Sequence, residues 1–85
     1  MTPKEILDRI PDLTRDQLAY YAKSGYVHPQ KIRRGKNEYA EYSDDDFLVI
    51  QIAFNYISRY GTTPKLAFAK AKGALSEPEF TFNRK

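Results

Sequence analysis

The chain has 85 residues, 41% of them apolar, a formal net charge of +3 and no cysteine. That length makes one small domain, which buries only about 60–65% of the surface its unfolded form exposes. The absence of cysteine excludes a disulfide framework, a thiolate metal site and a cysteine nucleophile.

The first element opens at "TPKE", where Thr2 is placed to cap, Pro3 occupies the first helical position and Glu5 completes a capping box. Ile6, Leu7 and Ile10 form its apolar face, Pro11 ends it, and Asp12-Leu13 makes a tight turn. "TRDQ" is a second capping box, from Thr14 to Gln17, followed by Leu18, Tyr21 and Ala22 at helical spacing. Gly25 fits a left-handed helix end. Two short helices joined by about three residues have the spacing of a helix-turn-helix. "YVHPQKI", "RRGKN" and "EYAEYS" then read as a β-hairpin turning at Gly35-Lys36-Asn37, its first strand confined to an edge by Pro29. Ser43 and Asp46 make a third capping box, and three aspartates in one first turn suit the helix dipole. The long helix runs from Asp44 to about Tyr60, with Phe47, Ile50, Phe54 and Ile57 on one stripe and Leu48, Val49, Ile52 and Tyr56 off it. Gly61 ends it, and Thr63-Pro64 starts a fourth helix. Residues 1–75 thus form the domain, and residues 76–85 read as an extended or disordered tail. The fold class expected is mainly α: four helices with a two-stranded hairpin between the second and the third.

The charge is distributed unevenly along this order. Lys23, Lys31, Arg33, Arg34 and Lys36 follow one another with no acid among them, and the acids gather just after, at Asp44, Asp45 and Asp46. A run of like charge repels itself, so it lies on a solvated face or meets an anion. The aspartates are explained by capping and the dipole. No nucleophile, base or paired carboxylate has further support, and His28 has no ligand cluster around it. The expectation is a protein that is not an enzyme and holds no cofactor or metal. The apolar runs are too short to cross a membrane, and "MTPKEILDRI" lacks the apolar core of a signal peptide. The expected compartment is the cytoplasm, with no membrane partner.

Thr14-Arg15-Asp16-Gln17-Leu18-Ala19-Tyr20-Tyr21-Ala22-Lys23-Ser24-Gly25-Tyr26-Val27 resembles the S/T-R-x-T-L-R-Y-Y-E-x-x-G-L-L pattern of MerR-type regulators. Glu38-Tyr39-Ala40-Glu41-Tyr42-Ser43, followed by Asp44-Asp45-Asp46, is similar to the G-Y-R-x-Y-S close of that family's wing and the acidic helix start behind it. The likeness covers about residues 3–75. It implies a winged helix-turn-helix that binds double-stranded DNA, in a transcription regulator. Ala19 and Ala40 stand where family members carry arginines that approach DNA, Ala22 replaces a glutamate, and Glu38 replaces a glycine.

With Leu18, Tyr21 and Ala22 facing inward, the outer side of the second helix shows Asp16, Ala19, Tyr20 and Lys23, with Arg15 at its edge. In a helix-turn-helix that side enters the major groove. Arg15 is placed for guanine edges or a phosphate, and Tyr20 and Lys23 for phosphates. Lys31, Arg33, Arg34 and Lys36 would straddle the backbone from the wing. An ordinary solvated helix face and a wet turn tip are the plain alternatives. Tyr39 and Tyr42 read as packing residues, and Asp16 as a capping residue. The family dimerises through a long helix beyond this domain, so self-association is expected only on DNA or through a missing C-terminal region. The chain would then be an excised domain, a stand-alone protein of the excisionase or small developmental-regulator type, or the DNA-recognition module of a phage packaging or plasmid protein. A MerR-like fold serving protein–protein interaction is the competing class, favoured by the two alanines.

Overall fold

A computed structural model describes residues 1–76. The elements follow as α1 (Pro3–Arg9), α2 (Arg15–Lys23), β1 (Gln30–Arg34), β2 (Asn37–Glu41), α3 (Asp44–Tyr60) and α4 (Pro64–Ser76). The molecule is mainly helical, with one antiparallel hairpin between the second and third helices. Ser76, placed with the tail on sequence grounds, closes α4; the rest of the tail lies outside the described residues. The chain divides into two compact units, residues 1–48 and residues 49–85.

In the first unit, three helix starts are closed by reciprocal hydrogen bonds. The Glu5 amide donates to Thr2 Oγ1 at 3.2 Å, and the Thr2 amide donates to the Glu5 carboxylate at 2.8 Å. The Thr14–Gln17 pair repeats this at 3.1 and 2.9 Å, and Ser43–Asp46 at 3.0 and 3.3 Å. Each box satisfies amides that the first helical turn leaves without partners. The Thr2 amide, ahead of other causes, holds the Glu5 carboxyl below its ordinary value.

The link between α1 and α2 differs from expectation. It is five residues, Ile10–Thr14, and its turn has Pro11-Asp12 at the centre, closed by the Leu13 amide donating to Ile10 O at 3.0 Å. Proline at the second turn position, followed by aspartate, is the favoured chemistry of such a turn. It leaves Leu13 buried between the two helices in sequence.

The end of α2 explains a second difference. The Tyr26 amide reaches back to Tyr21 O at 3.0 Å, and the Gly25 amide to Ala22 O at 3.1 Å, with Gly25 at φ 83°. This is a complete Schellman motif, and the Tyr21 and Tyr26 rings, 6.5 Å apart, supply its usual apolar contact. Tyr26 and Val27 are therefore consumed in the helix end, and Val27 is buried. The hairpin starts only at Gln30, four residues later than the β-propensity of "YV" suggests.

Ile6, Ile10, Leu13, Leu18, Tyr21, Val27, Tyr42 and Phe47 are the buried apolar residues of this unit. Arg9 lies over the Phe47 ring, 5.8 Å from its centroid, which ties α1 to the first turn of α3. Tyr42, following the hairpin, donates its amide to Met1 O at 2.7 Å, and the amino-terminal ammonium pairs with Glu41 at 3.0 Å.

The second unit holds the remainder of α3 and all of α4. Ile50 and Phe54 of the expected stripe are buried, as are Val49 and Ala53, while Ile57 is half-buried. The buried face of α3 is thus shifted toward Val49 and Ala53 relative to the sequence reading. Gly61, at φ 67°, ends the helix, and Thr63 accepts from the Leu66 amide at 3.4 Å to start α4. Ala67, Phe68 and Ala71 form its buried face.

Candidate functional site

The second helix presents the side that its spacing predicts. Leu18 and Tyr21 are buried, whereas Arg15, Asp16, Ala19, Tyr20 and Lys23 are exposed. Asp16 is not the capping partner of α2, because Thr14 and Gln17 close that cap. It stands in the first turn as a carboxylate favoured by the helix dipole.

Tyr20 is only half free. It is 50% exposed, and its ring meets the edges of Tyr21 and Tyr26 with centroids 6.0 and 6.2 Å away. Burial first, then the proximity and hydrogen bonding of Tyr20, push the Tyr26 phenol above its ordinary value. Burial and Tyr20 do the same to Tyr21. The exposed half of Tyr20 offers a hydroxyl that can donate to a phosphate oxygen.

The hairpin separates the cations that the linear sequence runs together. Lys31 pairs with Ala40, Ile32 with Tyr39, Arg33 with Glu38 and Arg34 with Asn37. Because successive side chains alternate between faces, Lys31 and Arg33 share one face with Glu38, and Arg34 shares the other with Ile32, Tyr39 and Glu41. Lys36 stands in the two-residue turn beside Gly35, whose φ is 60°. Glu38 lies directly across from Arg33 in the register, so the face that carries Lys31 and Arg33 also carries a carboxylate.

Two hollows mark these faces. One of about 380 Å³ is lined by Ala22, Lys23, Val27, His28, Pro29 and Lys31, so the end of α2 and the start of β1 converge there. Another of about 310 Å³ lies on the opposite face of the hairpin, between Thr2, Ile32, Arg34, Tyr39 and Glu41. Of the seven residues singled out from sequence, Lys23, Lys31 and Arg33 thus come to one side. Arg34 is on the other, Lys36 is at the tip, and Arg15 and Tyr20 are on the exposed face of α2. Tyr42 is buried as expected; burial, then the Asp46 carboxylate, raise its phenol. Tyr39, expected to pack, is half exposed.

Sequence reasoning missed two features. His28 lines the hollow beside Lys23 and Lys31; no local pattern carries that signal. Arg59, Lys65, Lys70 and Lys72 are the charged residues between positions 49 and 76, with no carboxylate among them; a count over that window finds this directly. Among the described residues, no group of His, Cys, Asp and Glu is placed to hold a metal ion, and no helix is long and apolar enough to cross a membrane. No protein-family model matches the chain, and a search of curated proteins finds no match either.

Proposed function

We propose that the first unit is a winged helix-turn-helix of the MerR type that binds double-stranded DNA sequence-specifically, as part of a transcription regulator. The exposed face of α2 enters the major groove, and the hairpin is the wing on the phosphate backbone. The observation that carries this reading is the convergence of Lys23 and Lys31 on one hollow, at the end of the helix that exposes Arg15, Ala19 and Tyr20. A helix face and a hairpin face then offer one strip of net positive charge, in which Arg15, Lys23, Lys31 and Arg33 outnumber Asp16 and Glu38. Arg15, at the start of the helix, reads a base edge; Tyr20 and Lys23 hold phosphates; the wing straddles the backbone, with Lys31 and Arg33 on one face, Arg34 on the other and Lys36 at the tip.

A second reading, an interaction module for another protein, is favoured by the hollow on the opposite hairpin face. There Ile32 is half-buried and Tyr39 is half exposed beside Arg34. One set of titrations separates the two. On a duplex selected from random sequences, neutralisation of about four phosphates gives a slope of log K against log salt near −3.6. That is a loss of about 150-fold between about 50 and 200 mM salt. Replacing Arg33 and Arg34 together by Ala flattens the slope by up to about 2 and weakens all sequences alike. Of the two single variants, Arg33→Ala has the larger effect, because Arg33 shares its face with Lys31. Arg15→Ala changes the preference between sequences. A slope unchanged in the double variant removes the hairpin from the DNA surface and puts the protein-interaction reading first.

A further inference from the structure

His28 stands between two hollows of opposite charge. On one side, a hollow of about 650 Å³ is lined by the amino terminus and by Glu41, Asp44 and Asp46, with Gln30, Tyr42 and Ser43 completing its wall. On the other, the hollow of about 380 Å³ holds Lys23 and Lys31 and no carboxylate, over a floor of Ala22, Val27 and Pro29.

We infer that this second hollow is the seat of a single phosphate group, in which Lys23 and Lys31 supply the charge and the His28 imidazole an N–H donor. Three observations lead there. Two ammonium groups on one small hollow repel each other, and an anion between them reverses that cost. The floor is fixed: Val27 is 2% exposed, the ring of Pro29 restrains its backbone, and the Schellman motif anchors Gly25 and Tyr26 just before it. The three donors come from the last residue of α2, the connecting loop and the second residue of β1, so each is positioned by a different part of the backbone.

The last carbonyls of α2 do not oppose an anion strongly. Those of Tyr20, Tyr21 and Ala22 accept from the amides of Ser24, Tyr26 and Gly25, which satisfies them within the chain. The carboxylates of the neighbouring hollow repel phosphate and direct it to the Lys23–Lys31 side of His28. A neutral imidazole still donates one N–H, so the seat does not depend on histidine being charged. The volume leaves room for the sugar that carries the phosphate.

This inference rests on the DNA reading in taking the duplex backbone as the source of the phosphate. A free phosphate or nucleotide offers the same chemistry, and the test distinguishes them. His28 is the only histidine, so its ring resonances are unambiguous. The full chain is titrated with the selected duplex, with a set of duplexes each carrying one uncharged methylphosphonate, and with inorganic phosphate against chloride at matched ionic strength. The expected result is one backbone position at which neutralisation flattens the salt slope by about 0.9 and abolishes the shift of the His28 ring. Lys31→Ala and that methylphosphonate together flatten the slope no further than either alone, because they remove the same contact. His28→Ala lowers affinity for every sequence and loses sensitivity to the same phosphate.

A saturable shift of the His28 ring with inorganic phosphate, without duplex binding, keeps the seat, assigns it to a free phosphate and removes the DNA reading. Duplex binding with an unmoved His28 ring and no coupled phosphate overturns the seat and leaves the DNA reading standing. No response to duplex or phosphate overturns both.

Discussion

The two compact units handle charge in opposite ways. The first, residues 1–48, holds eight Lys and Arg against nine Asp and Glu; the second has four cations and no acid through residue 76. By net charge alone the second unit is the candidate for an anion partner. By arrangement it is the first. Its acids are largely committed elsewhere: Glu5 in a capping box, Asp16 in the first turn of α2, Asp44, Asp45 and Asp46 in the first turn of α3, and Glu41 on the amino terminus. What remains free near the end of α2 and the start of β1 is cationic. In the second unit the cations are spread out: Arg59 in the last turn of α3, Lys70 over the Tyr56 ring at 5.9 Å, Lys65 and Lys72 exposed on α4. A surface for phosphate is made by where acids are consumed as much as by where cations accumulate.

The units differ in charge but not in their dependence on apolar packing. Phe68, 1% exposed in α4, and Leu18, 2% exposed in α2, are equivalent in this respect. Phe68→Ala is expected to cost roughly 3–5 kcal/mol and Leu18→Ala roughly 2–5 kcal/mol. The whole chain has roughly 4–13 kcal/mol to lose, so either variant is close to unfolding. Urea titration followed by far-ultraviolet circular dichroism measures both. A Phe68→Ala midpoint equal to that of the wild type would show that the second unit is not held by its buried apolar face, and the comparison would fail at its foundation.

A smaller effect compares helix starts. Thr14 takes part in a two-way box, with both bonds near 3 Å, whereas Thr63 accepts one longer bond of 3.4 Å. Thr14→Ala should therefore cost about 1 kcal/mol, and Thr63→Ala less. Thermal unfolding of the two variants orders them, and the reverse order would mean that the cap of α4 carries more than its geometry indicates.

These local devices were the legible part of the sequence. The caps at Thr2, Thr14, Ser43 and Thr63 and the turns at Gly25, Gly35 and Gly61 depend on residues within a few positions, so a linear reading finds them. The hairpin starts later than propensity suggests because Tyr26 and Val27 favour strands but are claimed by the end of α2, a competition that propensity does not weigh. The linear run of cations does not stay together in the hairpin, because a strand turns every second side chain to the other face and brings Glu38 opposite Arg33. His28 escaped notice because its neighbours Lys23 and Lys31 meet it only once α2, the loop and β1 are folded. The burial of Val49 and Ala53 shifted the inner face of α3 for a similar reason: several apolar faces are available on so apolar a helix, and packing selects among them.

The smallest expected effect tests the contrast in charge most directly. Three helices begin with acids in their first turn, Glu5 in α1, Asp16 in α2 and Asp44, Asp45 and Asp46 in α3. The fourth has none there and has Lys65 instead. A cation at a helix start opposes the partial positive charge of the unpaired amides, and a carboxylate complements it. Lys65→Glu should therefore stabilise the chain by roughly 0.3–1 kcal/mol at low ionic strength, a gain that shrinks as salt screens the exposed charge. Lys65→Gln isolates removal of the cation from addition of the anion and should give about half of it. Denaturant midpoints of the three proteins at low and high salt decide the matter. If Lys65→Glu destabilises at low salt, the lysine has a favourable partner that the helix dipole does not explain, and the second unit organises its charge after all. If it stabilises, the wild-type sequence keeps a lysine where stability prefers an acid. The start of α4 is then positive at a cost to the fold, unlike every other helix start described.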